Sequence, residues 1–176
     1  MENQKPQFEK NDRLDLKKID AKLNEANKDL YTLFVCAANV WRSQVAEWVA
    51  KYFWINAISC ASVEARKDKY NWKPDEEITQ LLLKKYWIDI SDQKILYPSD
   101  IKSEILAIER VVFMFDPKNI DQIDEEVLID NMPLWTFLDM IGKKYEIKEV
   151  VDPYNLSKST KEKIIENIYK IIEEEL

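Results

Sequence analysis

The chain has 176 residues, a formal net charge of −7, two cysteines and no histidine, with a sequence pI near 4.9. That acidity argues against nucleic acid or an anionic membrane as partner, and the missing histidines remove Ser-His-Asp and Cys-His catalysis together with histidine metal sites. No apolar run reaches membrane-spanning length and the charged start is not a signal peptide, so the chain reads as cytoplasmic, one domain with its own core, its cysteines too few for a disulfide framework.

Residues 1–11 are polar and read as disordered. From Asp12 a helical pattern begins, with Leu16, Ile19, Leu23, Ala26 and Leu30 at spacings of three and four. It reads as an amphipathic helix lying on the domain, with partner contact or dimerisation through residues 12–30 as the alternative. Residues 1–29 would then be an N-terminal extension and 30–176 the domain. Leu30–Val35 reads as the first strand, Ser43–Phe53 as a helix with Val45, Ala46, Val49, Ala50 and Phe53 inward, and Asn56–Ala61 as a second strand holding a buried Cys60. Arg66–Lys73 is a lysine-rich loop. Pro74 opens a helix whose apolar face is Ile78, Leu81, Leu82 and Tyr86, with acids in its first turn. Ser99 and Asp100 start a short helix through Leu106.

Arg110–Phe115 is the most continuous apolar run and reads as a strand buried on both faces, followed by the loop Asp116-Pro117-Lys118-Asn119. Val127–Ile129 is the candidate fourth strand, and Pro133–Lys144 is open between loop and helical turn. The last helix has Ile164, Ile165, Ile168, Ile171 and Ile172 on one face, with Ser159 to Glu162 as its capping box. Strands alternating with helices predict a three-layer α/β fold, a four-stranded parallel sheet flanked by helices. Sites in such sheets lie at the C-terminal strand ends, which brings the loops at Cys36, Asp116 and Asp152 together.

The chemistry concentrates in VCAANVWRSQVAE, residues 35–47. A strand hands a loop to a helix N-terminus, with five residues between Cys36 and Arg42. Backbone N–H groups in that setting form an anion site, and a thiolate beside an arginine adds a nucleophile and a clamp for phosphoryl oxygens. Asn39 can hold the turn, since asparagine tolerates left-handed backbone. An acid must protonate the leaving oxygen, and Asp152 is the candidate.

This stretch resembles the signature of the low-molecular-weight protein tyrosine phosphatase family, V-C-x-G-N-x-[CG]-R-S-x-x-A-E. Asp152-Pro153-Tyr154 is similar to that family's Asp-Pro acid motif, and Asp116 and Asn119 in MFDPKN resemble a further site loop. The similarity runs from about residue 31 to 172. It implies a phosphomonoester hydrolase, specifically a protein-tyrosine-phosphatase, with Cys36 attacking phosphorus to form a phosphocysteine. Arg42 and the amides of Ala37, Ala38, Asn39, Val40, Trp41 and Arg42 would bind the phosphate. Ser43 would stabilise the thiolate, Asn39 would brace the loop, and Asp152 would act as general acid and then base. The resemblance implies no metal or organic cofactor, and a phosphotyrosine protein or small phosphomonoester as substrate.

Ala38, Trp41 and Gln44 depart from the pattern. Gln44 resembles a branch that includes thioredoxin-coupled arsenate reductases, a second reading, although those need relay cysteines and none follows Cys60. A non-catalytic phosphate-binding module is a third, if Trp41 is genuine. Glycine occurs once and tryptophan six times, where average usage of ~7% predicts about a dozen glycines. Trp41, Trp54, Trp72 and Trp87 fall in turns where glycine is expected, Trp48 and Trp135 less diagnostically. The expectation is that several or all six are glycines read from UGA codons.

Overall fold

The computed structural model describes residues 31–62, 74–101, 105, 108–119 and 133–175. The helix expected within 12–30, the loop at 66–73 and the strand expected at 127–129 lie outside these residues. The elements run β1 (Tyr31–Cys36), α1 (Arg42–Tyr52), β2 (Ala57–Ala61), α2 (Glu76–Tyr86), α3 (Pro98–Ile101), β3 (Ile108–Phe113), a 3-10 turn (Pro117–Asn119), α4 (Leu134–Met140), β4 (Glu146–Ile147) and α5 (Lys158–Glu175). The strands form one parallel sheet in the order β2-β1-β3-β4. The α/β expectation holds. The sequence pattern of β4 is too short to signal a strand: only Glu146 and Ile147 pair, with Val112 and Phe113.

Strand β1 is the centre. Leu33, Phe34 and Val35 are fully buried, so both of its faces are covered. Helix α1 packs on β1, β2 and α5. It is buried from Arg42 to Lys51 rather than along one stripe, because neighbours close around it. Helix α2 begins where Asp75 accepts from the Ile78 N–H at 3.0 Å, which places Pro74 before the cap. The segment Pro133–Lys144 resolves into α4, anchored by buried Leu134 and Leu138. Helix α5 starts earlier than the expected Ser159 box: Ser157 Oγ accepts from the Thr160 N–H at 3.3 Å, and the Ser157 carbonyl accepts from Thr160 and Lys161. Its buried stripe is Ile164, Ile165, Ile168 and Ile172. Among the described residues no helix is long and apolar enough to cross a membrane.

Edge strand β4 is tied to β3 by a two-pronged ion pair. Arg110 Nε lies 2.6 Å from Glu146 Oε1 and NH2 lies 2.7 Å from Oε2. These hydrogen bonds from Arg110 hold the Glu146 carboxyl below the usual glutamate range. The pair therefore stabilises the fold at neutral pH, and that contribution is lost as pH falls from about 4.3 through the lowered folded value. With Glu146 partly exposed, solvent screening leaves about 0.5 kcal/mol. Glu146→Gln should lower the melting temperature by about 1–2 °C at pH 7, with a smaller gap at pH 3. An equal gap at both pH values in thermal melts would contradict this.

Candidate active site

Strand β1 has β2 on one side and β3 on the other. The chain therefore turns opposite ways on leaving β1 and β3, and a crevice opens at the C-terminal end of β1. The loop from Ala37 to Trp41 sits there. The Cys36 carbonyl accepts from Ser62 N–H at 2.8 Å and the Val40 carbonyl from Asp75 N–H at 3.2 Å, which fixes both ends of the loop.

Its middle is held by Asn39, fully buried with φ of 55°. Asn39 Nδ2 donates to Ser43 Oγ at 2.9 Å and to Ser59 Oγ at 2.8 Å, while Oδ1 accepts from Leu96 N–H at 3.0 Å. An amide nitrogen can only donate, so the Ser43 hydroxyl proton is left for Cys36 Sγ, 3.0 Å away. Behind Asn39, Ser59 Oγ and Gln93 Nε2 each donate to Glu47 Oε2 at 2.6 Å. Lys51 Nζ pairs with Glu47 Oε1 at 2.8 Å. A buried carboxylate is tolerable here because it meets a cation and two donors at once.

Arg42 opens α1 and is itself buried, its guanidinium 5.7 Å from the centre of the Phe115 ring. NH1 donates to the Val150 carbonyl at 3.0 Å, and NH2 lies 3.3 Å from Asp152 Oδ2. Asp152 Oδ1 accepts from Tyr154 N–H at 3.0 Å, while its side chain is 63% exposed. A cavity of about 290 Å³ is lined by Cys36, Ala37, Ala38, Val40, Trp41 and Arg42 on one side and by Asp75, Asp152, Pro153, Tyr154, Asn155 and Lys161 on the other.

Of the residues singled out in the sequence, Cys36, Arg42 and Asp152 therefore meet at one cavity, with Tyr154 at its mouth. Asn39 and Ser43 support the loop from behind. Asp116 is not among the lining residues; its carboxylate accepts from Lys118 N–H at 2.9 Å and shapes its own turn, which Asn119 ends. Sequence reasoning missed Asp75 and Lys161 in the wall. It also missed the Glu47–Gln93 brace, Phe115 beneath Arg42 and the Val150 carbonyl. Only the acidic start of α2 hinted at any of these.

Residues 31–176 match the sequence model of the family described as low molecular weight phosphotyrosine protein phosphatase. The chain belongs to this family. Among solved structures it is similar to a low molecular weight protein tyrosine phosphatase from T. tengcongensis, with 25% identity, TM-score 0.51, and 82% of this chain and 95% of that one covered. It is also similar to Wzb of Vibrio vulnificus in complex with benzylphosphonate (16% identity, TM-score 0.60, 81% and 94% covered). A third is the YwlE arginine phosphatase from Geobacillus stearothermophilus (15% identity, TM-score 0.56, 81% and 88% covered). No curated protein sequence matches. As a low-molecular-weight phosphatase by family, the chain acts on phosphorylated substrates, and its parallel sheet is the fold of these structures.

Asn39→Ala would strip three buried hydrogen bonds from the loop and place alanine at positive φ. Urea unfolding should show a loss of about 2–4 kcal/mol; a loss under about 1 kcal/mol would mean that the loop stands without this brace.

Proposed function

We propose that this phosphatase is a protein-tyrosine-phosphatase working through a phosphocysteine. Cys36 Sγ attacks phosphorus, the P–O bond to the leaving group breaks, and the departing oxygen takes a proton from Asp152. Water, deprotonated by Asp152, then displaces Cys36, and phosphate leaves. Arg42 and the loop amides hold the three equatorial oxygens, whose charge grows in the transition state. Ser43 stabilises the thiolate at both ends of the cycle. The reading is carried by one observation: the Cys36 thiol, the Arg42 guanidinium and the Asp152 carboxylate, from distant parts of the chain, line the same cavity.

The contact between Arg42 and Asp152 suits the sequence of events. A phosphate dianion takes over the guanidinium, and Asp152 is left beside the leaving oxygen. Cys36 is only 3% exposed, and Pro153 and an 80% exposed Tyr154 line the same cavity. A long, flat aryl phosphate suits so buried a thiol better than a short phosphoserine. A second reading is favoured by Asp75, whose carboxylate beside the loop would suit a cationic leaving group such as a phosphoguanidinium. Arsenate reduction has no such support: Cys60 is fully buried in β2 and no other thiol exists to relay a disulfide.

Phosphate release from p-nitrophenyl phosphate, phosphotyrosine and phosphoarginine peptides tests this in the chain and in its Trp41→Gly form. Hydrolysis should vanish with Cys36→Ser. Arg42→Lys should cost about 10²–10³-fold in kcat/KM. Asp152→Asn should slow phosphotyrosine by about 10²–10⁴-fold and p-nitrophenyl phosphate less, because nitrophenolate leaves without a proton. Turnover that survives Cys36→Ser, or is absent in both forms, ends the mechanism. A higher kcat/KM for phosphoarginine, lost in Asp75→Asn, moves the assignment to the second reading.

A further inference from the structure

Four non-glycine residues among those described have positive φ: Asn39, Trp54, Trp87 and Asn155. Asparagine adopts this backbone readily, but tryptophan does not, since the Cβ of an L residue crowds the following carbonyl oxygen. Both tryptophans sit just past a helix. After α1, Trp54 N–H bonds to the Lys51 carbonyl and Ile55 N–H to the Ala50 carbonyl, both at 3.0 Å. That pairing is a Schellman motif with Trp54 at the residue that glycine usually fills. The chain contains the same motif with glycine. After α4, Gly142 N–H bonds to Asp139 at 3.2 Å and Lys143 N–H to Leu138 at 2.9 Å. The φ values of Gly142 and Trp54 are 69° and 62°. After α2, Trp87 N–H bonds to the Leu83 carbonyl at 3.2 Å and Ile88 N–H to the Leu82 carbonyl at 3.3 Å, with Trp87 φ of 60°, a left-handed cap and again a glycine position.

Among the described residues neither indole belongs to the core or packs against it. Trp54 is 39% exposed and Trp87 is 50% exposed. Trp41 raises a different problem. It is buried in the phosphate loop, its Nε1 has no hydrogen-bond partner in the described structure, and its side chain lines the cavity beside Cys36. A buried orphan donor is a defect that folded proteins rarely keep. Trp48 shows what a settled indole looks like here: its N–H donates to Gln93, and Lys51 Nζ lies 4.4 Å from its ring centre. Six tryptophans against one glycine in 176 residues inverts ordinary usage.

We propose that the polypeptide made in the source cell carries glycine at positions 41, 54 and 87, inserted at UGA codons, and that glycine at 41 opens the loop to its phosphate. The last clause rests on the phosphatase reading above; the identity of the residues does not. At 54 and 87 glycine removes the crowding at Cβ. At 41 it removes the orphan donor and widens the cavity where the loop amides converge.

The gene and the natural polypeptide decide the first part. UGA at all three codons is expected, and tandem mass spectrometry of the protein purified from its source should read glycine there. UGG, or a tryptophan mass, at any of the three overturns it. Folding offers a second readout independent of activity. In thermal melts Trp54→Gly and Trp87→Gly should each exceed Trp54→Ala and Trp87→Ala by about 3 °C, because alanine keeps the Cβ; parity between glycine and alanine overturns the conformational argument. For position 41, inorganic phosphate binding to the folded chain is measured by calorimetry. Trp41→Gly should tighten it at least about tenfold, and unchanged affinity in a folded variant overturns the opening of the loop. Glycine in the natural polypeptide without phosphate binding would leave the residue assignment standing and remove the phosphatase reading.

Discussion

The site depends on one buried side chain. Asn39 gives the loop after β1 its left-handed step and satisfies a backbone N–H from Leu96. It also orients Ser43 toward the thiol and reaches Ser59 at the back. No apolar residue could take this place, because every contact it makes is directional and buried. Asn39 is held in turn by charge. Glu47 gathers Ser59, Gln93 and Lys51, so helix α1, strand β2 and the segment after α2 are locked to the loop through one carboxylate.

The second constraint joins the two ends of the domain. Arg42 stands at the first turn of α1, and its guanidinium is gripped by the Val150 carbonyl and faces Asp152. Val150 is held by its own N–H to the Met114 carbonyl at 3.1 Å, at the end of β3. The sheet thus carries the Asp152 loop to the arginine. The order β2-β1-β3-β4 is what makes residues separated by more than a hundred positions meet over Cys36.

The turns carry a different kind of information. Among the described residues, where a helix ends in left-handed backbone, the chain uses glycine once and tryptophan twice. The hydrogen-bond patterns around Trp54 and Gly142 match. The backbone therefore treats the two positions alike although their side chains differ as much as any two can. Among the described residues the two exposed indoles lie outside the core, and in the loop after β1 the Trp41 Nε1 has no hydrogen-bond partner in the cavity wall.

Sequence alone determined the α/β class, the first strand, the thiol-to-arginine spacing, the helix faces and the pairing of the Cys36 loop with a distant Asp-Pro. These are local or periodic properties: a buried strand is a run of apolar residues, and a loop that cradles an anion keeps its spacing wherever it sits. The anomalous tryptophans were also legible, because turn positions have strong residue preferences. Tertiary structure decided what depends on distance in space. It made a strand of two residues at Glu146 and Ile147, too short for any pattern, through pairing with β3. It moved the cap of α5 to Ser157, because that hydroxyl rather than Ser159 meets the open N–H. It turned Asp116 to its own loop and brought Asp75 and Lys161 to the cavity wall. The Glu47 brace likewise exists only once three segments pack together, since each hydrogen bond in it joins residues whose order along the chain says nothing of their approach.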